Sequence, residues 1–505
     1  MSPVEGPPEG TIRDLLDRRA AEDGGRESHV FPGEAPLTWG ALRDEAREIA
    51  ERLAGMGVAR GESVAVMLPN GRAGILCLMA LFYGGFRAAV LNLVAGAEAM
   101  GYALAHSEAR FVLLGTAQGD LFNAAVAASG ASVTAIRVGA EVAWPDAARG
   151  EPGPVAPGDH ALLMYTSGTT GRPKGVLHSH ASLLAGGWMP AMAHALTPED
   201  RGLCVLPIYH INGLCVTVMG ALVSGGALVV CERFSASRFW TTCAETGVTW
   251  FSVVPTIVSH LLHGEGEPDA ATRARLRFGR SASSALAVET QSAFESRFGI
   301  PIVETMGLTE TAAQILSNPL PPGVRKIGSP GIAYGCEVAI LSPDLAPAGA
   351  GVEGEIAVRG PNVMLGYFRN PEATAATLTP DGWLRTGDLG RMDGDGYVFV
   401  TGRLKELIIK GGENIAPREV DEALYAHPDV MEAAAFARPC PRYGERVEAA
   451  VRLRPGAEVD GAALRALCET RLGAFKCPDV VHVLDELPKG PSGKIQRLKL
   501  GELIQ

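Results

Sequence analysis

The sequence predicts an α/β protein with a large N-terminal domain of two parallel-type sheets, a β-rich subdomain and a small α+β C-terminal domain. Three observations support this fold class. Strand-length apolar segments alternate with helix-length segments over the first part of the chain, which is typical of parallel sheets covered by helices on both faces. From about residue 335 the pattern changes to β-like segments with Gly, Pro and Asp turns. Beyond residue 402 a short α/β segment follows.

The N-terminal part contains apolar runs of strand length separated by amphipathic stretches. Residues 62–68 predict a buried strand, and residues 46–56 predict the amphipathic helix that precedes it. A second helix is predicted at 288–298, where apolar residues recur at helical spacing. Further buried strands are predicted at 227–231, 248–253 and 300–304.

The later part of the chain predicts a subdomain and a separate terminal unit. β-like segments at 337–341, 354–359 and 396–400 predict the β-rich subdomain, which we place at about 335–402. Helices are predicted next at 417–427, where Pro417 suits the first helical position, and at 462–472. We therefore expect an N-terminal domain at 1–402 and a C-terminal domain at 403–505.

Composition excludes several classes of protein. With 47% hydrophobic and 20% charged residues the chain can bury a core, and its net charge of −11 argues against a nucleic-acid-binding surface. Nine scattered cysteines without a Cys-x-x-Cys pair favour a reducing cytoplasm over a disulfide framework or structural zinc. The longest uncharged run, near 214–231, is broken by Gly225 and Gly226. It therefore predicts a buried helix, turn and strand, and no membrane span.

Residues 166–175 carry the strongest chemical signal. The order Thr166-Ser-Gly-Thr-Thr-Gly-Arg-Pro-Lys-Gly175 follows an apolar run and combines hydroxyl donors, glycines and Lys174. Glycines let backbone N–H groups converge on an anion, and a lysine adds a point charge, so the loop suits a polyphosphate. It is not a Walker A loop, because Gly175 and Val176 follow the lysine. By composition alone a flexible Ser/Thr/Gly linker is the alternative.

In its full order this loop resembles the nucleotide loop of the adenylate-forming (ANL) superfamily, and the chain is most similar to the acyl- and aryl-CoA synthetases of that group. Six more segments resemble the family's motifs in the family's order. They lie at 207–210, 280–286, 305–310, 382–390, 402–414 and 488–497.

The resemblance implies a role for individual residues of these segments. For the catalytic steps it implies Lys494, Glu310, Thr309 and His210, with Glu310 and Thr170 as magnesium ligands. It also implies that the C-terminal domain is mobile, with Lys405 as its hinge. For the walls of the acid pocket it implies His210, Leu214, Ser281 and Gly307. For binding of ATP or CoA it implies Thr166, Ser167, Gly168, Thr169, Thr170, Lys174, Ser283, Thr305, Met306, Asp388, Arg403, Gly411 and Gly412.

Two segments depart from the family pattern. Ala282 and Ala285 replace a Gly and a Pro, a variant that looks closest to the oxalate–CoA ligase-like branch, and Met306 replaces the usual aromatic residue. A thioether can still pack on a purine face, so we expect adenine to bind there. For Arg280 two interpretations stay open: contact with a second carboxylate of the substrate, or a solvated or ion-paired arginine at a strand end.

The resemblance implies that a small carboxylic acid is activated by ATP to an acyl-adenylate, with release of pyrophosphate, and is then transferred to the thiol of CoA. ATP, Mg²⁺ and CoA are the implied cofactors. Alternatives are transfer to a separate carrier protein or to an amine, activation of another oxyanion, and a nucleotide-binding protein that has lost catalysis. Retention of Lys174, Glu310, Asp388, Arg403 and Lys494 speaks against the last of these.

Overall fold

The computed structural model describes residues 6–139, 148–166, 172–490 and 495–504, together with the backbone of 142–143. Within these residues the strands form four sheets. Two of them are large and mainly parallel, one is small and antiparallel, and one belongs to the C-terminal part. The predicted fold class is confirmed.

The first large sheet carries the strand that leads into the nucleotide loop. Its inner strands pair in parallel and are buried along their length, as expected for strands covered on both faces. The strand Lys174–Ser179 returns antiparallel to His160–Thr166, so the two ends of the loop lie side by side. The strands in order are Gly366–Tyr367, Lys174–Ser179, His160–Thr166, Arg87–Val90, Ser63–Met67, Phe111–Gly115, Thr134–Val138 and Val142–Ala143.

The second large sheet supplies one wall of the candidate site. Its central strands are also parallel, and antiparallel strands close both edges. The strands in order are Ile332–Ala333, Ala313–Ser317, Ile302–Leu308, Phe278–Ser281, Trp250–Val253, Arg201–Cys204, Ala227–Val230, Glu27–Val30 and Leu37–Thr38.

Helices cover these sheets and fill the space between them. Arg72–Gly84 is apolar and buried along almost its whole length, and it shares one core cluster with residues of both large sheets. The predicted helix at 46–56 begins earlier, at Trp39, because the Thr38 side chain accepts a hydrogen bond from the Ala41 amide and caps it. The other helices of this part are Ile12–Asp23, Ala97–His106, Gly119–Ser129, His180–Ala193, Gly220–Ser224, Phe239–Thr246, Pro255–His263, Ala270–Arg275, Val288–Phe298 and Pro371–Thr377.

The apolar run near 214–231 forms a π-helix at Asn212–Met219, the short helix Gly220–Ser224 and the strand Ala227–Val230. Gly225 ends the helix with a φ of +75°, a conformation that favours glycine. Among the described residues no helix is long and apolar enough to cross a membrane. The predicted helix, turn and strand are therefore present, with a wider first helix than the sequence indicated.

The antiparallel sheet and the C-terminal part complete the fold. The antiparallel sheet consists of Glu337–Leu341, Gly354–Arg359, Leu384–Met392 and Val398–Arg403. The C-terminal sheet contains Glu413–Ile415, Ile408–Lys410, Gly444–Leu453, Val430–Cys440 and Val480–Val483. Its helices are Pro417–Tyr425, Gly461–Lys476 and Arg497–Leu503.

Candidate active site

A cavity of about 230 Å³ lies where the second large sheet, the antiparallel sheet and the C-terminal part meet. The Arg418 guanidinium donates to the Val400 carbonyl at 2.7 Å and so ties the C-terminal part to the antiparallel sheet beside the cavity. Residues that line it from the three sides include Ser283, Thr305, Met306, Gly307, Asp388, Gly402, Arg403, Arg418, Ile495 and Arg497. Sequence segments more than 200 residues apart thus form one site.

Asp388 and Arg403 form an ion pair on one wall of this cavity. They are register partners on the antiparallel strands Leu384–Met392 and Val398–Arg403, so the sheet itself holds them opposite each other. Arg403 Nε donates to Asp388 Oδ1 at 2.5 Å, and the Asp388 residue is only 7% exposed. Burial by itself lowers the pKa of Arg403, but the charges of Asp388 and Glu406 outweigh it and raise that pKa. The guanidinium therefore stays charged beside the cavity.

Thr305, Met306 and Gly307 form the adjoining wall, on the strand Ile302–Leu308. The Thr305 hydroxyl donates to the Ser281 carbonyl at 3.4 Å, which joins this strand to its parallel neighbour. A Cβ at position 307 would lie 1.7 Å from the Ala313 carbonyl oxygen, so only glycine fits there. The backbone of this wall is thus fixed by close approach to the next strand.

Glu310 lies on a short 3₁₀ turn, Thr309–Thr311, directly after this strand. The Tyr367 hydroxyl donates to Glu310 Oε1 at 2.8 Å, and Lys174 Nζ sits 4.7 Å from the centre of the same tyrosine ring. Tyr367 thus connects the predicted metal ligand with the lysine of the nucleotide loop. His178 supports the same turn, because its Nε2–H donates to the Thr309 carbonyl at 2.7 Å.

The nucleotide loop itself is described only at its ends. Thr166 closes one strand, and its hydroxyl donates to the Lys174 carbonyl at 3.5 Å. The predictions for Ser167, Gly168, Thr169 and Thr170 lie outside the described residues, and so does Lys494. Ile495, which follows Lys494 directly in the sequence, lines the cavity.

A second polar cluster lies beneath the segment that carries Ser283. Arg280 is 1% exposed, and its guanidinium donates to Asn212 Oδ1 at 2.8 Å and to Ser252 Oγ at 3.1 Å. Asn212 Nδ2 donates in turn to Ser283 Oγ at 3.4 Å. Ser283 has a φ of +75°, which is costly for a residue with a side chain and is characteristic of functional sites.

Several predicted site residues stand apart from the cavity. Among the described residues, those that line it do not include His210, Leu214 or Ser281. His210 lies in the turn before the π-helix and its ring packs on Tyr209 with centroids 5.0 Å apart. Leu214 and Ser281 are fully buried, Leu214 in the core between the large sheets.

The hinge and glycine predictions fall in turns of the C-terminal part. Lys405 is exposed in the turn between the strands Val398–Arg403 and Ile408–Lys410. Gly411 and Gly412 form the tight turn before the strand Glu413–Ile415, with φ values of +61° and +87°. Both glycines are exposed, and neither belongs to the described lining of the cavity.

The sequence reasoning missed several residues of the site, among them Glu304 and Tyr367. Glu304 lines the cavity at 2% exposure, accepts a hydrogen bond from the Leu286 amide at 3.2 Å, and burial raises its pKa. A carboxylate inside the apolar run 300–304 was the signal that could have identified it. Tyr367 left no comparable signal, because its contact with Glu310 joins distant segments.

A mainly parallel α/β domain, an antiparallel sheet with an Asp–Arg ion pair on the cavity wall and a C-terminal unit that closes one cavity together define an adenylate-forming ligase. The family model described as AMP-binding enzyme matches residues 16–368, and the model of the AMP-binding enzyme C-terminal domain matches residues 419–494. The chain belongs to the AMP-binding enzyme family.

Known relatives show which adenylate-forming enzymes the chain is similar to. The chain is 46% identical to the sulfoacetate–CoA ligase of Cupriavidus necator over 498 residues, 97% of each chain. It is 36% identical to the oxalate–CoA ligase of Arabidopsis thaliana, over 96% of this chain and 97% of that protein. The solved structure of ATP-bound MatB from Rhodopseudomonas palustris superimposes with a TM-score of 0.88 at 29% identity, covering 97% and 98% of the two chains.

These similarities confirm the predicted family and the predicted enzyme class. The protein is an AMP-forming acid–CoA ligase: it activates a carboxylic acid with ATP and transfers the acyl group to CoA. The alternative acceptor, a separate carrier protein, gains no support from relatives that are named as CoA ligases.

Proposed function

We propose that this ligase acts on a short carboxylic acid at the described cavity and that its residues divide into two groups. The nucleotide side comprises Thr305, Met306, Asp388 and Arg403. The acid side comprises Asn212, Arg280, Ser281 and Ser283. The observation that carries the proposal is the Asp388–Arg403 ion pair, which meets Thr305, Met306 and Ile495 at one cavity. A carboxylate can accept both ribose hydroxyl protons, and a guanidinium suits ribose and phosphate oxygens.

In the first half-reaction the carboxylate of the acid attacks the α-phosphorus of ATP, and pyrophosphate leaves. Two anions must approach each other, so cations placed in advance lower the barrier. Lys174 lies beside the nucleotide loop, and we assign to Lys494 the contact between the carboxylate and the α-phosphate. Support for Lys494 comes from Ile495, its immediate neighbour in the sequence, which lines the cavity.

Glu310 is the proposed magnesium ligand. Mg²⁺ is commonly held by one or two protein carboxylates together with substrate phosphates, and Glu310 meets that requirement beside the nucleotide loop. Tyr367 donates to one of its oxygens and so orients the carboxylate. The ion would neutralise charge on the phosphates. We propose Thr170 as a second ligand of this magnesium ion.

In the second half-reaction the CoA thiolate attacks the carbonyl carbon of the acyl-adenylate, and AMP leaves. We propose that the C-terminal domain, from residue 403 onward, rotates about Lys405 between the two steps. The exposed turn at Lys405 supports this, since a hinge needs a residue whose backbone is free to change. The rotation would bring Gly411 and Gly412 to the cavity, where the absence of side chains leaves room for the pantetheine arm.

The compartment is part of the proposal as well. All nine cysteines are unpaired, and six of them are buried in apolar cores. Thiols that stay reduced suit a cytoplasmic enzyme.

Exchange of radiolabel between pyrophosphate and ATP across a panel of short acids tests the first step. We expect exchange with at least one acid, and acyl-CoA detected by mass spectrometry after CoA is added. Silence with every acid would favour a nucleotide-binding protein without catalysis. Exchange without any thioester would restore the alternative of another acceptor.

A further inference from the structure

Arg280 is a buried cation whose hydrogen-bond partners among the described residues are neutral. It stands in the middle of the second large sheet, on the strand Phe278–Ser281, and is 1% exposed. Its guanidinium donates to Asn212 at 2.8 Å, Ser252 at 3.1 Å and Gln314 at 3.3 Å. Among the described residues no carboxylate forms an ion pair with it. A buried charge without a counter-ion destabilises the folded protein, and such a group is usually retained because it serves a function.

One of the two interpretations from the sequence, a solvated or ion-paired arginine at a strand end, does not fit the position of Arg280. The side chain is not solvated, and within the part of the chain that the structure describes it forms no ion pair. Burial lowers the pKa of Arg280 to about 9, so the guanidinium is still charged at neutral pH. His194, which lies near Arg280 and Gln314, has a pKa well below its usual range because it is fully buried, and so supplies no charge. The cluster therefore holds one positive charge.

The surroundings of Arg280 connect it to the active cavity. Asn212 contacts Arg280 with its oxygen and Ser283 with its nitrogen, and Ser283 lines the cavity. One amide side chain thus separates the guanidinium from the cavity wall. Asn212 also opens the π-helix Asn212–Met219, and π-helical turns occur frequently at functional sites.

An unpartnered hydroxyl points to a ligand at the same place. Ser281 follows Arg280 directly, is 0% exposed, and its Oγ has no hydrogen-bond partner among the described residues. A buried hydroxyl without a partner is unfavourable unless a bound molecule supplies one. The charge of Arg280 and the hydroxyl of Ser281 together match an oxyanion.

We infer that Arg280 recognises a second anionic group, a carboxylate or a sulfonate, at the far end of a short acid whose reacting carboxylate faces the nucleotide side. This inference rests on the proposed function and deepens it. Arginine binds such oxyanions through a planar fork of donors. The sulfoacetate and oxalate named for the two relatives each carry two acidic groups, which agrees with this substrate class.

Replacement of Arg280 tests the assignment through substrate preference. Malonate and sulfoacetate serve as dianionic acids, and propionate as the monoanionic acid of similar size. For Arg280→Met we expect kcat/KM to fall about 100-fold with the dianionic acids, because truncating one partner of a buried charge pair is costly. With propionate kcat/KM should stay the same or rise, and the KM for ATP should not change. Arg280→Lys keeps the positive charge but loses the planar fork of donors. Its kcat/KM with the dianionic acids should therefore lie between the values of wild type and Arg280→Met.

Arg277 offers a matched control three residues upstream. Its guanidinium contacts Asp200 at 2.6 Å, so it already has a carboxylate partner. Arg277→Met should lower stability without changing the ratio of dianionic to monoanionic activity. The comparison of malonate with sulfoacetate shows which oxyanion the wild-type enzyme favours.

Two results would overturn the inference. One is a wild-type enzyme that activates propionate as well as malonate and sulfoacetate. The other is an Arg280→Met variant that loses activity equally with all acids, as a structural arginine would. A wild-type enzyme that activates no acid at all would instead contradict the proposed function, so the two failures are distinguishable.

Discussion

Arg403 lies on the cavity wall that we assign to the nucleotide, and the buried Arg280 lies behind the wall that we assign to the acid; the two arginines differ in what compensates their charge. Arg403 faces Asp388 across two antiparallel strands, whereas the side chains that Arg280 contacts among the described residues are all neutral, namely Asn212, Ser252 and Gln314. The charges of Arg403 and Asp388 neutralise each other, so this pair can bind the same nucleotide in every cycle. The charge of Arg280 has no such partner among the described residues, so a second anionic group of the bound acid would supply it. Changes on the nucleotide side should therefore affect all acids equally, and changes on the acid side should alter the choice among them.

The largest effect is expected for Lys494→Ala. Removing a cation that neutralises developing charge costs about 1,000-fold in rate, so adenylate formation should fall by that factor with every acid. Conversion of a supplied acyl-adenylate to the thioester should continue, since we assign Lys494 to the first step only. Single-turnover assays of each half-reaction measure both rates. Equal loss in the two steps would remove Lys494 from this role.

Asp388→Ala tests the pair of Asp388 and Arg403, whose charges neutralise each other. It leaves the Arg403 guanidinium without its main carboxylate partner, which we expect to cost about 100-fold in kcat/KM for ATP. The loss should be the same whether malonate, sulfoacetate or propionate is the acid. Steady-state kinetics at varied ATP measures it, with Arg280→Met as the contrasting variant. A loss that depended on the acid would contradict the separation of the two sides.

Tyr367→Phe removes one hydroxyl and keeps the ring next to Lys174. The lost hydrogen bond to Glu310 is worth about 1 to 1.5 kcal/mol, so we expect a five- to tenfold loss of activity. Because Tyr367 orients the proposed magnesium ligand, the Mg²⁺ concentration for half-maximal activity should rise. Titration with Mg²⁺ at saturating ATP shows this. An unchanged Mg²⁺ dependence would mean that Glu310 is oriented by other contacts.

The sequence alone pointed to several residues of the cavity wall that we assign to the nucleotide. Thr305, Met306, Asp388 and Arg403 lie in short ordered motifs, and the structure brings all four to one cavity. The parallel sheets were predictable too, because buried strands and amphipathic helices leave local patterns. The strands Glu337–Leu341 and Gly354–Arg359 coincide with their predicted bounds.

The acid side could not be predicted in this way. The contacts of Arg280 come from residues 212, 252 and 314, which only the folded sheet and the π-helix bring together. Whether an arginine at a strand end is solvated, paired or buried alone depends on those partners, and local sequence carries no information about them. The same holds for Leu214, which the structure places in the core and not in the described lining of the cavity.

The smallest effect concerns the histidine that supports the nucleotide side. Burial lowers the pKa of His178 to about 4, against about 6.5 in an unfolded chain. Between these values the unfolded state binds a proton that the folded state does not, so stability falls as the pH falls. His178 alone should contribute a slope of about 1.4 kcal/mol per pH unit between pH 6.5 and 4, and none above pH 7. His178→Gln should remove that share of the slope in urea unfolding measured across this range. Because Arg280 stays charged over this pH range, the preference for dianionic acids should not follow the pH dependence of stability. If stability depended on pH with the same slope in wild type and in His178→Gln, His178 would be protonated in the folded protein as well.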